Sequence, residues 1–324
     1  MHIFSPPGIE YREVIFLSVV PVDRPMTAAL CEQVIGDLAR AYPFIQTRVL
    51  TNTAFGRPVT AMRIGQGDRR VIFSAAHHAN EWITTPVLLK FAEDLAQAIK
   101  EGGSIFDVSA QTLNQYCTIR LVPMVDPDGV DLVTGAIGPG TLEYDQARAI
   151  SADYPEIPFP AGWKANLLGV DLNLQYPAGW LQAREIKISQ GFISPAPRDY
   201  VGRFPLSQLE TRALAQYTEQ WDPALVLALH TQGREIYWQF KDYEVPGARL
   251  LAEEFARLSG YRVAETPYAS AFAGYKDWFI QNWRRPGFTI EAGLGESPLP
   301  LSQFDEIYRD VLGILVTAAT GLPA

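Results

Sequence analysis

Apolar residues recur along this chain with two periods. Between Met26 and Ala41 they fall at helical spacing through Leu30, Val34 and Leu38, which predicts a helix. Short apolar runs at Val71–Ala76, Cys117–Val122, Ala224–Leu229 and Gly287–Ile290 predict strands covered on both faces. Arg48–Leu50 and Val59–Ile64 predict a strand pair turning at Gly56-Arg57-Pro58, and Val14–Val20 predicts an earlier strand. Further helices are expected over Pro86–Lys100, capped by Thr84 or Thr85, over Ser207–Trp221 and Gly247–Leu258, from near Gly274, and over Leu301–Ala318. Residues 127–162 and 187–205, rich in Gly, Pro and Asp, read as long loops of the kind that shape sites. The fold class expected is α/β: a single domain with a mixed, mostly parallel central sheet flanked by helices. Residues 1–42 are expected as a strand and helix packed on the main 43–324 unit.

Composition narrows the class. With 324 residues, 48% hydrophobic and 19% charged, the chain is long enough for one large core. A net charge of -9 argues against nucleic acid and anionic membrane as partners, and no apolar run approaches the ~18 residues of a membrane span. The first residues lack the layout of a signal peptide, so a cytoplasmic location is expected. Cys31 and Cys117 sit in apolar surroundings and read as core thiols. Neither repeats nor linkers are found, and oligomeric state cannot be read.

The candidate chemistry gathers where apolar runs end. Of four histidines, His2 is terminal, His77 and His78 follow the run at Val71, and His230 follows the run at Ala224. Glu81 lies three residues after His78, and Glu291 closes the run Phe288-Thr-Ile290. Alone, H-x-x-E is a weak signal, and a helix-cap glutamate beside a satisfied histidine is its commoner meaning. Three ionisable residues at three strand ends form a more specific pattern, because sites of open α/β sheets lie at the carboxyl ends of strands. Two imidazoles and a carboxylate can hold a catalytic zinc, and Asp171, after Gly169-Val170, could orient a ligand histidine. His77 is assigned to packing, since adjacent residues at a strand end point apart.

These segments resemble the zinc carboxypeptidase (M14) family. His78-Ala-Asn-Glu81-Trp82 is similar to its H-x-x-E-W segment, Gly169-Val-Asp-Leu-Asn173 to G-V-D-x-N, and Phe288-Thr-Ile-Glu291 to F-T-x-E; His230 matches the distal ligand. The likeness runs from about Pro43 to Leu315. Within the family, the segments at His230–Trp238, Trp163–Asn166 and Gly274–Trp278 resemble bacterial γ-D-glutamyl-L-diamino acid endopeptidases, which act on peptidoglycan peptides. The resemblance implies one Zn²⁺ held by His78, Glu81 and His230, with Asp171 behind His78. It implies Glu291 as general base and Lys164 in place of an oxyanion-stabilising arginine. Asn173 is implied to bind substrate polar groups. Tyr268 is implied as the tyrosine covering the substrate, one residue off the usual spacing to Trp278.

Two departures bear on specificity. Exopeptidases of the family carry an arginine after G-V-D-x-N, where this chain has Leu174, and another between the first two ligands, where it has Asn80. A bidentate carboxylate clamp cannot be built from Leu and Asn. Lys276 falls where the family sets leaving-side specificity, and a lysine there favours an acidic group such as the extra carboxylate of diaminopimelate. The expected activity is therefore hydrolysis of γ-D-glutamyl–diaminopimelate bonds in muropeptides, in the setting of cell-wall recycling. Alternatives are an ordinary metallocarboxypeptidase, an amide hydrolase of acylated amino acids, and an inactive muropeptide-binding relative.

Overall fold

The computed structural model describes residues 18–321. The strands are β1 (Gln46–Asn52), β2 (Pro58–Gly65), β3 (Arg69–Ala75), β4 (Ser104–Ile105), β5 (Val108–Ser109), β6 (Cys117–Val122), β7 (Leu225–His230), β8 (Glu235–Tyr237), β9 (Arg262–Ala264) and β10 (Gly287–Glu291). The helices are α1 (Ala28–Ala41), α2 (Thr84–Glu101), α3 (Ala110–Tyr116), α4 (Pro127–Thr134), α5 (Leu142–Ser151), α6 (Trp180–Ser189), α7 (Leu209–Trp221), α8 (Ala248–Ser259), α9 (Tyr275–Trp283) and α10 (Phe304–Thr320).

Eight strands form one sheet in the order β1-β2-β6-β3-β7-β10-β8-β9. Its centre, β6-β3-β7-β10, is parallel; β1, β2 and β8 join antiparallel, and β9 runs parallel to β8. The apolar runs are the central strands, and their alternation explains why they read as continuous. Val71, Phe73 and Ala75 of β3 and Leu225, Leu227 and Leu229 of β7 join the core beneath α1, α2, α8 and α10. Ile72, Val226 and Ala228 face the opposite core, with α7 and the aromatic face of α9. Both faces are covered, so both sets must be apolar. Cys31 and Cys117 are buried free thiols in the first core.

Several expectations need correction. Residues 127–162 are not one loop: α4 and α5 lie within them. Some of the residues that suggested a loop serve helix ends: Pro127 opens α4 and Gly135 closes it. Asp126 accepts from the Gly129 amide with Pro127 in the first turn, and Thr141 accepts from the Tyr144 amide. Helix α6 likewise enters the second expected loop, leaving residues 190–208 irregular. Neither Thr84 nor Thr85 caps α2, whose N-cap is Ile83. The expected strand at Val14–Val20 lies outside the described residues except for Ser18–Val20. These three are irregular, and the Ser18 hydroxyl and Val19 amide donate to Glu93.

The fully buried Leu227 sits mid-strand in β7. Leu227→Ala is expected to lower unfolding free energy by about 2–5 kcal/mol, and Leu142→Ala, at an exposed site, by under about 0.5 kcal/mol, in denaturant titrations.

Candidate metal centre and active-site cleft

The loop after β3 is fixed from three sides. Ala76 turns the chain at φ 47, a conformation non-glycine residues seldom adopt. Its amide donates to Thr84 Oγ1 at 3.0 Å, and the Thr84 hydroxyl donates to the Glu81 carbonyl at 2.7 Å. The threonine thus staples the loop ends together instead of capping α2. The Val125 and Asp126 amides donate to the Ala75 and Ala76 carbonyls. Beneath the turn, α4 approaches so closely that a Cβ on Gly129 would lie 2.7 Å from Ala79 Cβ and 2.6 Å from the Ala165 carbonyl oxygen. Only glycine fits there.

His78 and Glu81, on either side of a 3₁₀ turn at Ala79–Glu81, meet His230 from the end of β7. His78 Nδ1 is 2.9 Å from Glu81 Oε1, His230 Nδ1 is 2.8 Å from Glu81 Oε2, and the two Nδ1 atoms are 3.2 Å apart. Zinc bonds of roughly 2.0–2.2 Å in a tetrahedron require ligand atoms roughly 3.3 Å apart. The three side chains, all buried, are the one cluster of this kind among the described residues and fit such an ion. Asp171 Oδ1 lies 3.1 Å from His78 Nε2, so that nitrogen carries the proton and Nδ1 faces the ion site. His77 is no ligand: its ring stacks on His230 with centroids 5.5 Å apart, and its Nε2 is 3.3 Å from the Tyr176 hydroxyl.

The charges are interdependent. Burial opposes ionisation of Glu81, but His78, Lys164 and His230 outweigh it and hold the carboxyl well below its ordinary range. Burial also opposes protonation of His78, yet Glu81 and Asp171 prevail and raise it to about 9. Lys164 Nζ is 3.0 Å from Glu81 Oε1; burial works against its charge, and Glu81 more than compensates.

Glu291 stands beside His230 in the parallel register of β7 and β10. Burial, reinforced by the nearby Glu81 charge, pushes its carboxyl up to about 8. A cation at the ligand set pulls it back down, toward the range useful to a general base at neutral pH. A cleft of ≈ 270 Å³ opens over these groups, with His78, Lys164, Asn173, His230, Lys276 and Glu291 in its wall. The Asn173 carbonyl oxygen accepts from the Tyr275 amide at 3.1 Å, leaving its NH₂ for the cleft.

Lys276 has a partner that the sequence did not reveal. Lys276 is buried, and its ammonium is bound by the Asp277 carboxylate and, at 2.7 Å, by the Gln239 carbonyl. The wall therefore offers a pair of opposite charges instead of a lone cation. Tyr268 is 67% exposed with its ring against Phe272, on the segment whose Thr266, Pro267 and Ser270 line the cleft. Leu174 is buried in the apolar cluster with Tyr176 and Trp180. Arg198, Thr231 and Gln232 also face the cleft region and were missed; the one signal for Arg198 was its place in the Pro-rich segment 187–205.

The profile of the zinc carboxypeptidase family matches residues 31–312. The γ-D-glutamyl-L-diamino acid endopeptidase 1 of Lysinibacillus sphaericus is 45% identical over 282 residues, 87% of this chain and 69% of that protein. Among solved structures, thrombin activatable fibrinolysis inhibitor superposes with TM-score 0.71 at 16% identity, covering 91% of this chain and 73% of that one. The murein-tripeptide amidase MpaA of Escherichia coli O157 superposes with TM-score 0.53 at 18% identity, covering 84% and 91%.

Histidine must lose a proton to bind a metal. Zinc affinity, measured by chelator competition, should therefore rise roughly tenfold per pH unit from about 7 and level off near 9. In the metal-free protein, the raised His78 stabilises the fold fully below about 6.5, and this contribution is lost as pH rises through about 9. Asp171→Asn should move the break in both profiles to lower pH and weaken zinc binding about 10–100-fold. A pH-independent affinity would contradict the protonated His78.

Proposed function

This chain belongs to the zinc carboxypeptidase family, and we propose that it hydrolyses the amide between γ-D-glutamate and a diamino acid in peptidoglycan peptides. One zinc is held by His78, Glu81 and His230 in this reading. When bound, the ion lowers the pKa of a water to about 7 and polarises the scissile carbonyl. Glu291 takes the proton of the attacking water and hands it to the departing amine. Lys164 places positive charge beside the oxyanion that develops, and Asn173 donates its NH₂ to a polar group of the substrate.

The observation that carries the specificity is the buried Lys276–Asp277 pair in the leaving-side wall, in a cleft with no arginine at Leu174. An exopeptidase needs a cation for the substrate's terminal carboxylate. A wall that offers both a cation and an anion suits a leaving group with both an amine and a carboxylate at its far end, as diaminopimelate has. The identity with the Lysinibacillus sphaericus endopeptidase supports the same reading. We extend it to turnover of released wall peptides in the cytoplasm, a placement that cell fractionation tests.

Zinc-loaded protein should release diaminopimelate from L-Ala-γ-D-Glu-diaminopimelate much faster than it trims α-linked C-terminal residues; the reverse order would overturn the reading. Glu291→Gln should keep fold and zinc while losing about 10²–10⁴-fold in kcat. If the wild type cleaves no amide, the protein is a binder instead.

A further inference from the structure

A second cavity of ≈ 300 Å³ adjoins the cleft, sharing Lys164, Thr231 and Gln232 with it and adding Asn80 and Arg198. Arg198 is placed there by the backbone on both sides. The carbonyl of Pro197 accepts from the Lys164 and Ala165 amides at 2.8 and 2.9 Å. The amide of Asp199, at φ 65, donates to Asp171 Oδ2 at 3.2 Å. The arginine is thus tied to the segments carrying Lys164 and Asp171. Its Nε donates to Asp199 Oδ2 at 2.7 Å, and Asp199 is held in turn by Lys187 at 2.6 Å. No hydrogen bond among the described residues uses its two terminal nitrogens.

The neighbouring groups are differently engaged. Lys164 directs its ammonium at Glu81, 3.0 Å away. Asn80 is buried, its NH₂ making only a 3.5 Å contact to the Ser297 carbonyl and its carbonyl oxygen without a partner. A planar guanidinium, fixed at Nε and open at its fork, is suited to a carboxylate. Glu156 and Glu296, exposed in the same wall, confine the positive charge to the inner part of the cavity.

We propose that Arg198, assisted by Asn80, holds the free α-carboxylate of the γ-linked acyl residue and so favours that residue over neutral, α-linked ones. The inference rests on the function proposed above. A γ-linkage leaves the α-carboxylate of glutamate free and charged, three carbons from the scissile carbonyl; an α-linked neutral residue has no charge at that distance. A cation next to Lys164 meets that charge in the γ-linked substrate and finds none on an α-linked neutral residue. Arg198 is a specificity residue, with no part in proton transfer.

The test compares L-Ala-γ-D-Glu-diaminopimelate with the same peptide amidated at the α-carboxyl. Wild-type protein should prefer the carboxylate about 10–100-fold in kcat/KM, chiefly through KM. Arg198→Ala should bring the ratio to within about threefold of unity, with Arg198→Lys between the two. Arg198→Gln serves should the alanine variant fail to fold, and zinc content and melting temperature control for integrity. Equal wild-type rates on the two peptides, or an unaltered ratio in the variants, would overturn the role of Arg198 while leaving the γ-glutamyl reading intact. Wild-type protein that cleaves neither peptide would overturn both.

Discussion

Parallel pairing of β3, β7 and β10 is the constraint on which the rest depends. Ala75 pairs with Leu229 and His230 with Glu291, so three strand ends separated widely in sequence lie side by side. Parallel strands require covered faces, and the two apolar cores supply the cover. Once that register is set, His230 and Glu291 need no special loop to meet. Only the His78–Glu81 corner has to be brought over the sheet edge, and it receives the costliest local structure: a left-handed alanine, a threonine staple and a glycine contact with α4.

The corner is also where charge is concentrated. Glu81 is shared by two imidazoles, Lys164 and the Thr231 amide, and Asp171 fixes the outer nitrogen of His78. Without a cation Glu81 and Asp171 favour a proton on His78; an ion bound there would displace it. Glu291 lies outside the ligand set but feels it, which is why its carboxyl rises with burial and falls when positive charge arrives. In the proposed function the same groups hold the ion and tune the base.

Most of this was legible in the sequence because it lies in regular strands. The apolar runs marked the central strands, and the ionisable residues at or just after their ends marked the candidate ligands and Glu291. Strands β8 and β9, three residues each, are too short for a period to show. Pro127 and Gly135, at the two ends of α4, passed for loop residues, since Pro and Gly serve both purposes. Charge pairing was invisible for the same reason: Lys276 reads as a cation until the fold sets Asp277 against it. Arg198 carries no motif, and only tertiary hydrogen bonds bring it to Lys164.

The central claim is that the strand ends and the loop at His78 converge on one divalent ion. Crystals of zinc-loaded protein, measured on both sides of the zinc absorption edge, test it directly. The account predicts a single anomalous peak about 2.0–2.2 Å from His78 Nδ1, His230 Nδ1 and a Glu81 oxygen. A peak elsewhere, or none at this corner, would contradict it.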